Sequence, residues 1–315
     1  MDEFKKPVLV LGANPAWQKI VSCPRLVAGD VVRVKLDATG AAGKGFNTAR
    51  VVRAFRIPVV LVSAAGTDAP AWEEACRDEG VTTRLFPIAG RIRTATTIND
   101  RARNEVTEIV EEGPEASEGA AATLDLLMRN ELSEASLVVV AGTFPPGLSP
   151  RGVLEILADA TVPVILDSIP GIRSLRDLDR SPAQLILKLN QKEWKSVFGE
   201  ADLSAALKQA RRLWPKAELL ATRGDEGALL WSPDGSIHSF SSGAFAPGVA
   251  INPIGAGDAF SGGIAVHLAR GGTIVDACLH GMAVARASCL NPLPARFSME
   301  EVAISKGLVQ IDEPS

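Results

Sequence analysis

The sequence has little of the nitrogen and sulfur chemistry that binds transition metals. Its four cysteines, Cys23, Cys76, Cys278 and Cys289, lie far apart and form no C-x-x-C pair. With only three histidines in 315 residues, no cluster of metal ligands has a recognised spacing. We therefore expect no structural zinc site, and we expect the cysteines and histidines to serve packing or to lie at the surface.

Positive charge is also in short supply, because 33 Lys and Arg face 37 Asp and Glu, a formal net charge of -4. Such a chain has no basic field to hold a nucleic-acid backbone. No apolar run approaches the roughly 20 residues that a membrane span requires. The 46% of hydrophobic residues can fill a substantial core, which excludes disorder. We expect a soluble, cytoplasmic protein that binds neither nucleic acid nor membrane.

Short apolar runs alternate with helix-like stretches along most of the chain, a pattern typical of parallel strands joined by crossover helices. The strand candidates are 7–11, 59–62, 137–140, 162–166, 185–187 and 219–221. The helix candidates are 46–55, 71–79, 119–130, 151–160, 191–197, 203–213, 258–269 and 274–288. The alternation predicts an α/β fold in which helices cover both faces of a mostly parallel sheet.

Two stretches break this alternation. Ser22 to Lys35 and Thr94 to Val110 mix polar and apolar residues in the manner of strands that are exposed on one face. We expect them to pair away from the main sheet. The chain shows no long linker and no repeat, so the prediction is one α/β domain with a small β excursion.

The most informative stretch runs from Asn252 through Gly255-Ala256-Gly257-Asp258 into an apolar-periodic helix. The small residues allow backbone N–H groups to face an anion, and the start of the helix adds its positive dipole end. Asp258 then has two interpretations. It is an N-cap in an ordinary tight turn, or it is a base that takes the proton of a substrate hydroxyl beside an anion hole.

A second glycine-rich stretch runs from Ala42 to Arg50. It is not a Walker A loop, since Gly45 stands where Ser or Thr would hold magnesium. Gly43 and Gly45 let a ligand approach the backbone, while Lys44 and Asn47 supply a cation and an amide for a polyhydroxylated or phosphorylated compound. The alternative is a loop-to-helix turn with no ligand.

Three further polar groups directly follow predicted strands, where open α/β sheets bind ligands. They are Gly142 to Leu148, Lys188 to Glu193, and Thr222 to Gly227. Asn190 and Glu193 are spaced to hold a hydrated magnesium ion, although an N-cap with a glutamate at N3 gives the same pattern. The glycines of the third group allow the backbone to approach a nucleotide, or they form a plain hairpin turn.

In this order the elements resemble the PfkB, or ribokinase-like, family of carbohydrate kinases over nearly the whole chain. Its two signatures correspond to Gly43–Asn47 and to Asn252–Asp258. Further motifs resemble the branch of 1-phosphofructokinases and tagatose-6-phosphate kinases. These are Asn14-Pro15-Ala16, Arg93, Thr107-Glu108 with Gly113-Pro114, and Phe144–Leu148.

The resemblance implies a doubly wound, mostly parallel sheet in a single kinase domain over residues 1–315. It also implies a small β lid formed near residues 18–35 and 93–110, through which a homodimer assembles. The implied reaction uses ATP and Mg²⁺ to phosphorylate a hydroxyl of a phosphorylated ketohexose: fructose 1-phosphate, tagatose 6-phosphate or fructose 6-phosphate.

The resemblance assigns roles to particular residues. Asp258 would be the base, and Gly255, Ala256 and Gly257 would form the anion hole. The residues implied to bind the sugar phosphate are Asn14, Gln18, Gly43, Lys44, Asn47 and Arg93. Those implied to bind the nucleotide are Lys188, Asn190, Thr222, Gly224 and Gly227. Asn190 and Glu193 would organise magnesium through water.

Leu189 stands where the family often has proline, and two further departures from the branch concern the ligand. Gln18 replaces an acidic residue that accepts hydrogen bonds from sugar hydroxyls, and Ala42 puts a methyl group where a glycine is usual. The departures leave open a different acceptor, such as an unphosphorylated sugar or a nucleoside. They also leave open a non-catalytic sugar or nucleotide sensor on the same fold.

Overall fold

A computed structural model describes residues 6–178, 180–243, 245 and 252–312. The strands of this part are β1 (Val8–Gly12), β2 (Ala16–Cys23), β3 (Lys35–Ala42), β4 (Val59–Ala65), β5 (Thr82–Pro87), β6 (Arg93–Asp100), β7 (Glu105–Val110), β8 (Leu137–Ala141), β9 (Val164–Asp167), β10 (Leu185–Asn190), β11 (Glu218–Thr222), β12 (Ala228–Trp231), β13 (Ile237–Ser241) and β14 (Gln310–Asp312). The α-helices are α1 (Lys44–Ala54), α2 (Ala69–Asp78), α3 (Ala120–Leu132), α4 (Arg151–Leu157), α5 (Ile169–Leu175), α6 (Gln191–Phe198), α7 (Leu203–Leu213), α8 (Ala256–Ala269), α9 (Ile274–Ser288) and α10 (Met299–Lys306). None of these helices has the length and apolar character that crossing a bilayer demands.

The main sheet has the strand order β14-β13-β12-β11-β10-β9-β8-β1-β4-β5. Pairing is parallel from β11 to β5 and antiparallel from β11 to β14. Every residue of β1 and β8 is buried, as expected for strands covered by helices on both faces. The predicted α/β class, with a mostly parallel sheet, is confirmed.

The strand order reverses beside β1, which pairs with β4 on one side and with β8 on the other. Such a switch point opens a crevice at the carboxyl ends of the strands, where ligands bind in open α/β folds. Gly12 ends β1, and α1 packs directly against it. A Cβ atom on Gly45 would lie 2.3 Å from the Gly12 Cα atom, so glycine is required there for helix–strand contact. The expectation that Gly45 admits a ligand is therefore wrong.

A second sheet has four strands in the order β3-β2-β6-β7. One of its two edge strands, β7, is exposed at every residue. The 94–110 stretch forms β6 and β7, as expected, but the prediction of a strand over 22–35 is largely wrong. Only its two ends belong to strands, because a turn intervenes after Pro24, where the Asp100 carboxylate accepts the Leu26 amide at 3.0 Å.

Candidate active site

A cavity of about 660 Å³ lies between the main sheet and the four-stranded sheet. It takes in the residues implied by both sequence signatures and by the groups that follow β10 and β11. The predicted site residues that line it are Gln18, Gly43, Lys44, Asn47, Arg93, Lys188, Asn190, Glu193, Thr222, Gly224, Gly227, Gly255, Ala256, Gly257 and Asp258. One cleft thus collects every predicted site residue except Asn14.

Asn14 is the exception among the predicted site residues, since it is absent from the described lining of the cleft. Its amide nitrogen donates to the Thr143 hydroxyl at 3.0 Å, and a Cβ atom on Gly113 would meet its Oδ1 atom at 2.5 Å. Ala42 is also absent from that lining and is 2% exposed. The expectation that the Ala42 methyl group intrudes on the ligand is wrong, because the end of β3 turns it into the interior.

Asp258 lies in the first turn of α8, and Gly255, not Asp258, is the N-cap of that helix. Gly255 adopts a φ of 81°, in the left-handed region that favours glycine. The Asp258 carboxylate accepts a 2.8 Å hydrogen bond from the Asn47 amide nitrogen. The N-cap interpretation of Asp258 is therefore wrong, and its side chain is directed to α1 and the cleft.

The environment of Asp258 changes its acidity. Burial raises its pKa to about 6, and nearby Asp167 adds to the rise, whereas Lys44, the Asn47 hydrogen bond and Lys188 oppose it. A carboxyl group with a pKa near 6 is mostly ionised at neutral pH and is a stronger base than an ordinary aspartate. The group can take a proton from a hydroxyl placed within hydrogen-bond reach.

A second buried carboxylate, Asp167, was missed in the sequence. It ends β9, is fully buried, and accepts hydrogen bonds from Lys188 at 2.7 Å and from the Ser261 hydroxyl at 2.8 Å. Burial alone would raise its pKa, but Lys188 and Lys44 hold that pKa at about 2. The available signal was its place at the carboxyl end of a buried strand.

Lys44 begins α1 and lies between two carboxylates at the centre of the site. Its Nζ atom is 3.4 Å from Asp167 and 3.2 Å from the Glu193 Oε1 atom. Asp167 raises the pKa of Lys44, burial opposes it, and Asp258 and Glu193 add to the rise, so the ammonium group stays charged. Its side chain is still 38% exposed. Lys44 can therefore contact an anionic ligand in the cleft.

Asn190 and Glu193 form a capping box at the start of α6. The Asn190 side chain accepts the Glu193 amide at 2.9 Å, and the Glu193 carboxylate accepts the Asn190 amide at 2.8 Å. The N-cap interpretation of the pair is thus seen in the structure, and it leaves Asn190 Oδ1 occupied. In the described ranges, no group of three or more His, Cys, Asp or Glu side chains is arranged for a metal. The role of Asn190 and Glu193 in organising magnesium through water therefore stays a prediction.

The Thr222–Gly227 group forms the turn between β11 and β12, so the hairpin interpretation also holds. A Cβ atom on Gly227 would lie 1.9 Å from the Phe240 carbonyl oxygen, which demands glycine. The same turn borders the cleft, next to an apolar wall that the sequence analysis missed. The wall is formed by Phe260, Met282, Ala285 and Cys289. An apolar surface of this kind suits a planar, weakly polar ring.

The four-stranded sheet contributes the opposite side of the cleft. Gln18 is buried and donates to the Thr97 hydroxyl at 2.8 Å. Arg93 donates to the carbonyls of Asn14 and Pro15 at 3.3 Å, which fixes its guanidinium at the cleft. Partial desolvation of the Glu108 carboxyl group raises its pKa, and the positive charge of Arg93 opposes the rise. A guanidinium and a carboxylate therefore both line this side of the cleft.

Comparison with known proteins agrees with this geometry. Residues 16–300 match the family described as pfkB family carbohydrate kinase. The chain belongs to the PfkB family. It is 27% identical over 310 residues to an ATP-dependent 6-phosphofructokinase isozyme 2 of Mycobacterium tuberculosis, covering 96% of this chain and 89% of the relative. It is 25% identical over 269 residues to a 1-phosphofructokinase of Escherichia coli, covering 83% and 84%.

Solved structures of PfkB-type kinases have the same fold. Phosphofructokinase-2 of Escherichia coli, in complex with substrates and products, superposes with a TM-score of 0.83 at 19% identity, covering 96% of this chain and 98% of that one. A ribokinase of Thermotoga maritima gives a TM-score of 0.73 at 20% identity, covering 95% and 99%. The protein is thus a carbohydrate kinase of the PfkB family with the ribokinase-like fold.

Proposed function

We propose that this PfkB kinase transfers the γ-phosphoryl group of ATP to a hydroxyl of a phosphorylated ketohexose, with Asp258 as the general base. The carrying observation is the pairing of Asp258 with the first turn of α8. A buried carboxylate with a pKa of about 6 lies directly beside backbone N–H groups that have no intrahelical partner. Because the names of relatives include two kinds of phosphofructokinase, fructose 1-phosphate and fructose 6-phosphate are the first acceptors to consider.

The chemical step needs a proton acceptor and positive charge near the transferring group. Asp258 accepts the proton of the attacking hydroxyl, and Asn47 holds its carboxylate at 2.8 Å in a fixed orientation. The positive end of α8, with the Gly255–Gly257 backbone, stabilises the charge on the phosphoryl oxygens. Lys44 adds a charged ammonium group that the neighbouring carboxylates keep protonated. Positioning and electrostatics then supply the catalysis.

The nucleotide side of the proposed site combines the apolar wall with the β11–β12 turn. The wall contacts the adenine ring, and Thr222, Gly224 and Gly227 border the ribose and phosphates. Arg286 lies over the Phe245 ring at 4.1 Å and closes this end of the cleft. Magnesium, when bound, neutralises charge on the ATP phosphates, and Glu193 would hold it through water.

The sugar-phosphate side of the proposed site lies on the four-stranded sheet, which we propose acts as a lid. Arg93 is the partner for the phosphate of the acceptor, since a planar guanidinium binds phosphate through two parallel hydrogen bonds. Gln18 contacts a sugar hydroxyl. A closed lid excludes water, which otherwise competes with the sugar as the acceptor.

We further propose that the lid sheets of two copies pack together in a homodimer. Leu36 is 55% exposed and Ile109 is 58% exposed, both on the outer strands of the small sheet. Glu108 and Val110 face the cleft, so strand alternation turns Ile109 away from it. Burial of these apolar side chains against a second lid supplies the driving force for association.

A second candidate acceptor is an unphosphorylated sugar, and Glu108 is the observation that favours it. Its carboxylate lies beside Arg93 and partly neutralises the cation that would bind a phosphate. A carboxylate at this place accepts hydrogen bonds from sugar hydroxyls. Gln18 can accept such bonds only through an uncharged amide oxygen. The phosphorylated acceptor remains the leading candidate because Arg93 also borders the cleft.

The test is ADP release by the purified protein with Mg-ATP against fructose 1-phosphate, fructose 6-phosphate, tagatose 6-phosphate, fructose, ribose and adenosine. We expect turnover on one phosphorylated ketohexose. The Asp258→Asn protein, purified in parallel, controls for contaminating kinases. Turnover on an unphosphorylated compound alone would replace the proposed acceptor. If the protein binds ATP but releases no ADP with any of these compounds, the result would favour the sugar or nucleotide sensor.

A further inference from the structure

Arg50 is a buried arginine outside the residues assigned to the site. It lies on α1, six residues after Lys44, and is only 7% exposed. Its guanidinium stacks over the Phe46 ring, 4.6 Å from the ring centroid. Buried arginines are costly unless they are paired and fully hydrogen-bonded, so the contacts of this side chain indicate what holds it there.

All five N–H groups of the Arg50 guanidinium have acceptors. Glu79 at the end of α2 takes two of them, from Nε and from Nη2, the latter at 2.9 Å. Nη2 also donates to the Ala41 carbonyl at 2.9 Å. Nη1 donates to the Asn47 side-chain oxygen at 3.1 Å and to the Pro294 carbonyl at 2.9 Å. One side chain therefore joins α1, α2, the end of β3 and the loop before α10.

The bond to Asn47 fixes the direction of the amide that holds Asp258. The Asn47 nitrogen donates to the Asp258 carboxylate at 2.8 Å, and its oxygen accepts from Arg50 at 3.1 Å. The opposite flip would place the amide oxygen against a carboxylate and the amide nitrogen against a guanidinium. Both contacts would be repulsive. Arg50 thus selects the one orientation in which Asn47 donates to the carboxylate.

The hydrogen bond from Arg50 to the Pro294 carbonyl connects Arg50 to the start of α8. A Cβ atom on Gly255 would lie 2.6 Å from the Pro294 Cβ atom, so Pro294 packs directly beneath the N-cap of α8. The carbonyl that Arg50 holds belongs to the same proline. Arg50 therefore contacts the supports of both the Asp258 carboxylate and the backbone N–H groups beside it.

We propose that Arg50 is a positioning residue that aligns the Asp258 carboxylate through Asn47 and fixes the first turn of α8 through Pro294. The proposal rests on the proposed role of Asp258 as the base. It goes beyond that role, because Arg50 is separated from the cleft by Asn47. Glu79 anchors the far side of the guanidinium, and within the described part of the chain its carboxylate hydrogen-bonds to Arg50 and Arg296 and to neither support.

Several charged groups surround Asp258 and Arg50, and those around Asp258 influence its pKa. Asp258 is faced by Lys44 from α1, Asp167 from the end of β9 and Lys188 from β10. Arg50 is faced by Glu79, which also accepts a hydrogen bond from Arg296 at 3.0 Å. The Asn47 hydrogen bond lowers the pKa of Asp258. Release of Asn47 should therefore move the acid limb of the rate profile to higher pH.

The decisive variants are Arg50→Lys and Glu79→Gln. Lysine keeps the positive charge for Glu79 but lacks the fork that reaches Asn47 and Pro294 together. We expect Arg50→Lys to move the acid limb of kcat up by about half a unit to one unit, the size of one lost hydrogen bond. We also expect kcat to fall roughly tenfold through misalignment, with the KM for ATP unchanged. Glu79→Gln should lower the melting temperature and leave the acid limb in place.

A double-mutant cycle separates alignment from general loosening. Asn47→Ala should move the acid limb in the same direction as Arg50→Lys, and the double variant should show no further shift, because both act through one contact. Additive shifts would overturn the proposed route through Asn47. If folded Arg50→Lys protein keeps the wild-type kcat and acid limb, Arg50 only stabilises the fold. The same conclusion would follow if Glu79→Gln moved the acid limb as far as Arg50→Lys does.

A second readout makes the test independent of turnover. The pH dependence of the unfolding free energy, compared with that of the same protein carrying Asp258→Asn, reports the pKa of Asp258 in the folded state. We expect that pKa to be higher in Arg50→Lys than in wild type. The result stands even if no acceptor is phosphorylated, so failure of the proposed function and failure of the positioning role give different outcomes.

Discussion

The two sheets of this protein differ most clearly in their burial. Every residue of β8 in the main sheet is buried, whereas every residue of β7 in the small sheet is exposed. The main sheet and its helices supply Asp258, Asp167 and Lys44, the groups proposed for chemistry or held beside it. The small sheet supplies the groups proposed to recognise the acceptor. The groups proposed for chemistry thus lie on the buried main sheet, and the groups proposed to bind the acceptor lie on the exposed small sheet. With this arrangement, substitutions that change the acceptor need not disturb the catalytic geometry.

The largest effect should come from the packed half. We predict that Asp258→Asn lowers turnover by about two to four orders of magnitude, the range typical of lost general-base catalysis. ATP binding should stay largely intact, because the amide has the same size and can still accept the Asn47 hydrogen bond. Steady-state kinetics and calorimetry measure the two quantities. Near-normal turnover would remove Asp258 from the role of base.

The same substitution should stabilise the fold, which is a separate check on the buried carboxylate. The pKa of Asp258 is raised from 3.8 to about 6, so the folded state binds a proton more tightly than the unfolded state does. Ionised Asp258 therefore costs stability above pH 6, by about 3 kcal/mol at full ionisation. Chemical denaturation should show Asp258→Asn to be the more stable protein at pH 8. The difference should shrink as the pH falls from 6 and should vanish well below the unfolded-state pKa of 3.8, where the carboxyl group is protonated in both states.

A smaller effect should come from the recognition half. We predict that Arg93→Ala raises the KM for the phosphorylated acceptor by about ten- to a hundredfold and leaves kcat within a few fold, because it removes a contact to a part of the substrate that does not react. Arg93→Lys is the matched control, since it keeps the charge and loses the bidentate geometry. An unchanged KM in Arg93→Ala would mean that no phosphate binds there, and it would favour the unphosphorylated acceptor.

The contrast between the sheets also explains how much the sequence predicted. Runs such as Leu137–Val140 are buried on both faces, so their composition alone identifies strands, and α9 was predicted with its bounds. The prediction of a strand over 22–35 failed because an alternation of exposed polar residues is compatible with a strand or with a turn. Here the turn is held by a hydrogen bond from the Leu26 amide to the distant Asp100 carboxylate. Local sequence patterns predict buried strands well, and they predict the pairing of exposed strands poorly.

Within the site, the sequence predicted residues that stand in dense motifs and missed those that depend on tertiary contact. Lys44, Asn47 and Asp258 were found because glycines and a helix start surround them. Asp167 was missed because its partners, Lys188 and Ser261, lie 21 and 94 residues away. The apolar wall was missed for the same reason, since α8 and α9 meet at the cleft only in the folded chain.

The smallest predicted effect concerns the outer surface of the lid. We expect Ile109→Glu to dissociate the proposed homodimer, because it puts a charge into an apolar contact between two copies. Analytical ultracentrifugation measures the change, and the KM for the acceptor should rise only a few fold, since Ile109 does not line the cleft. Ile304→Glu is the matched control, because Ile304 is 62% exposed on α10, outside the small sheet. A monomeric wild-type protein, or equal dissociation by both substitutions, would mean that the exposed lid does not form the interface. The lid would then be open to solvent and would act within one chain alone.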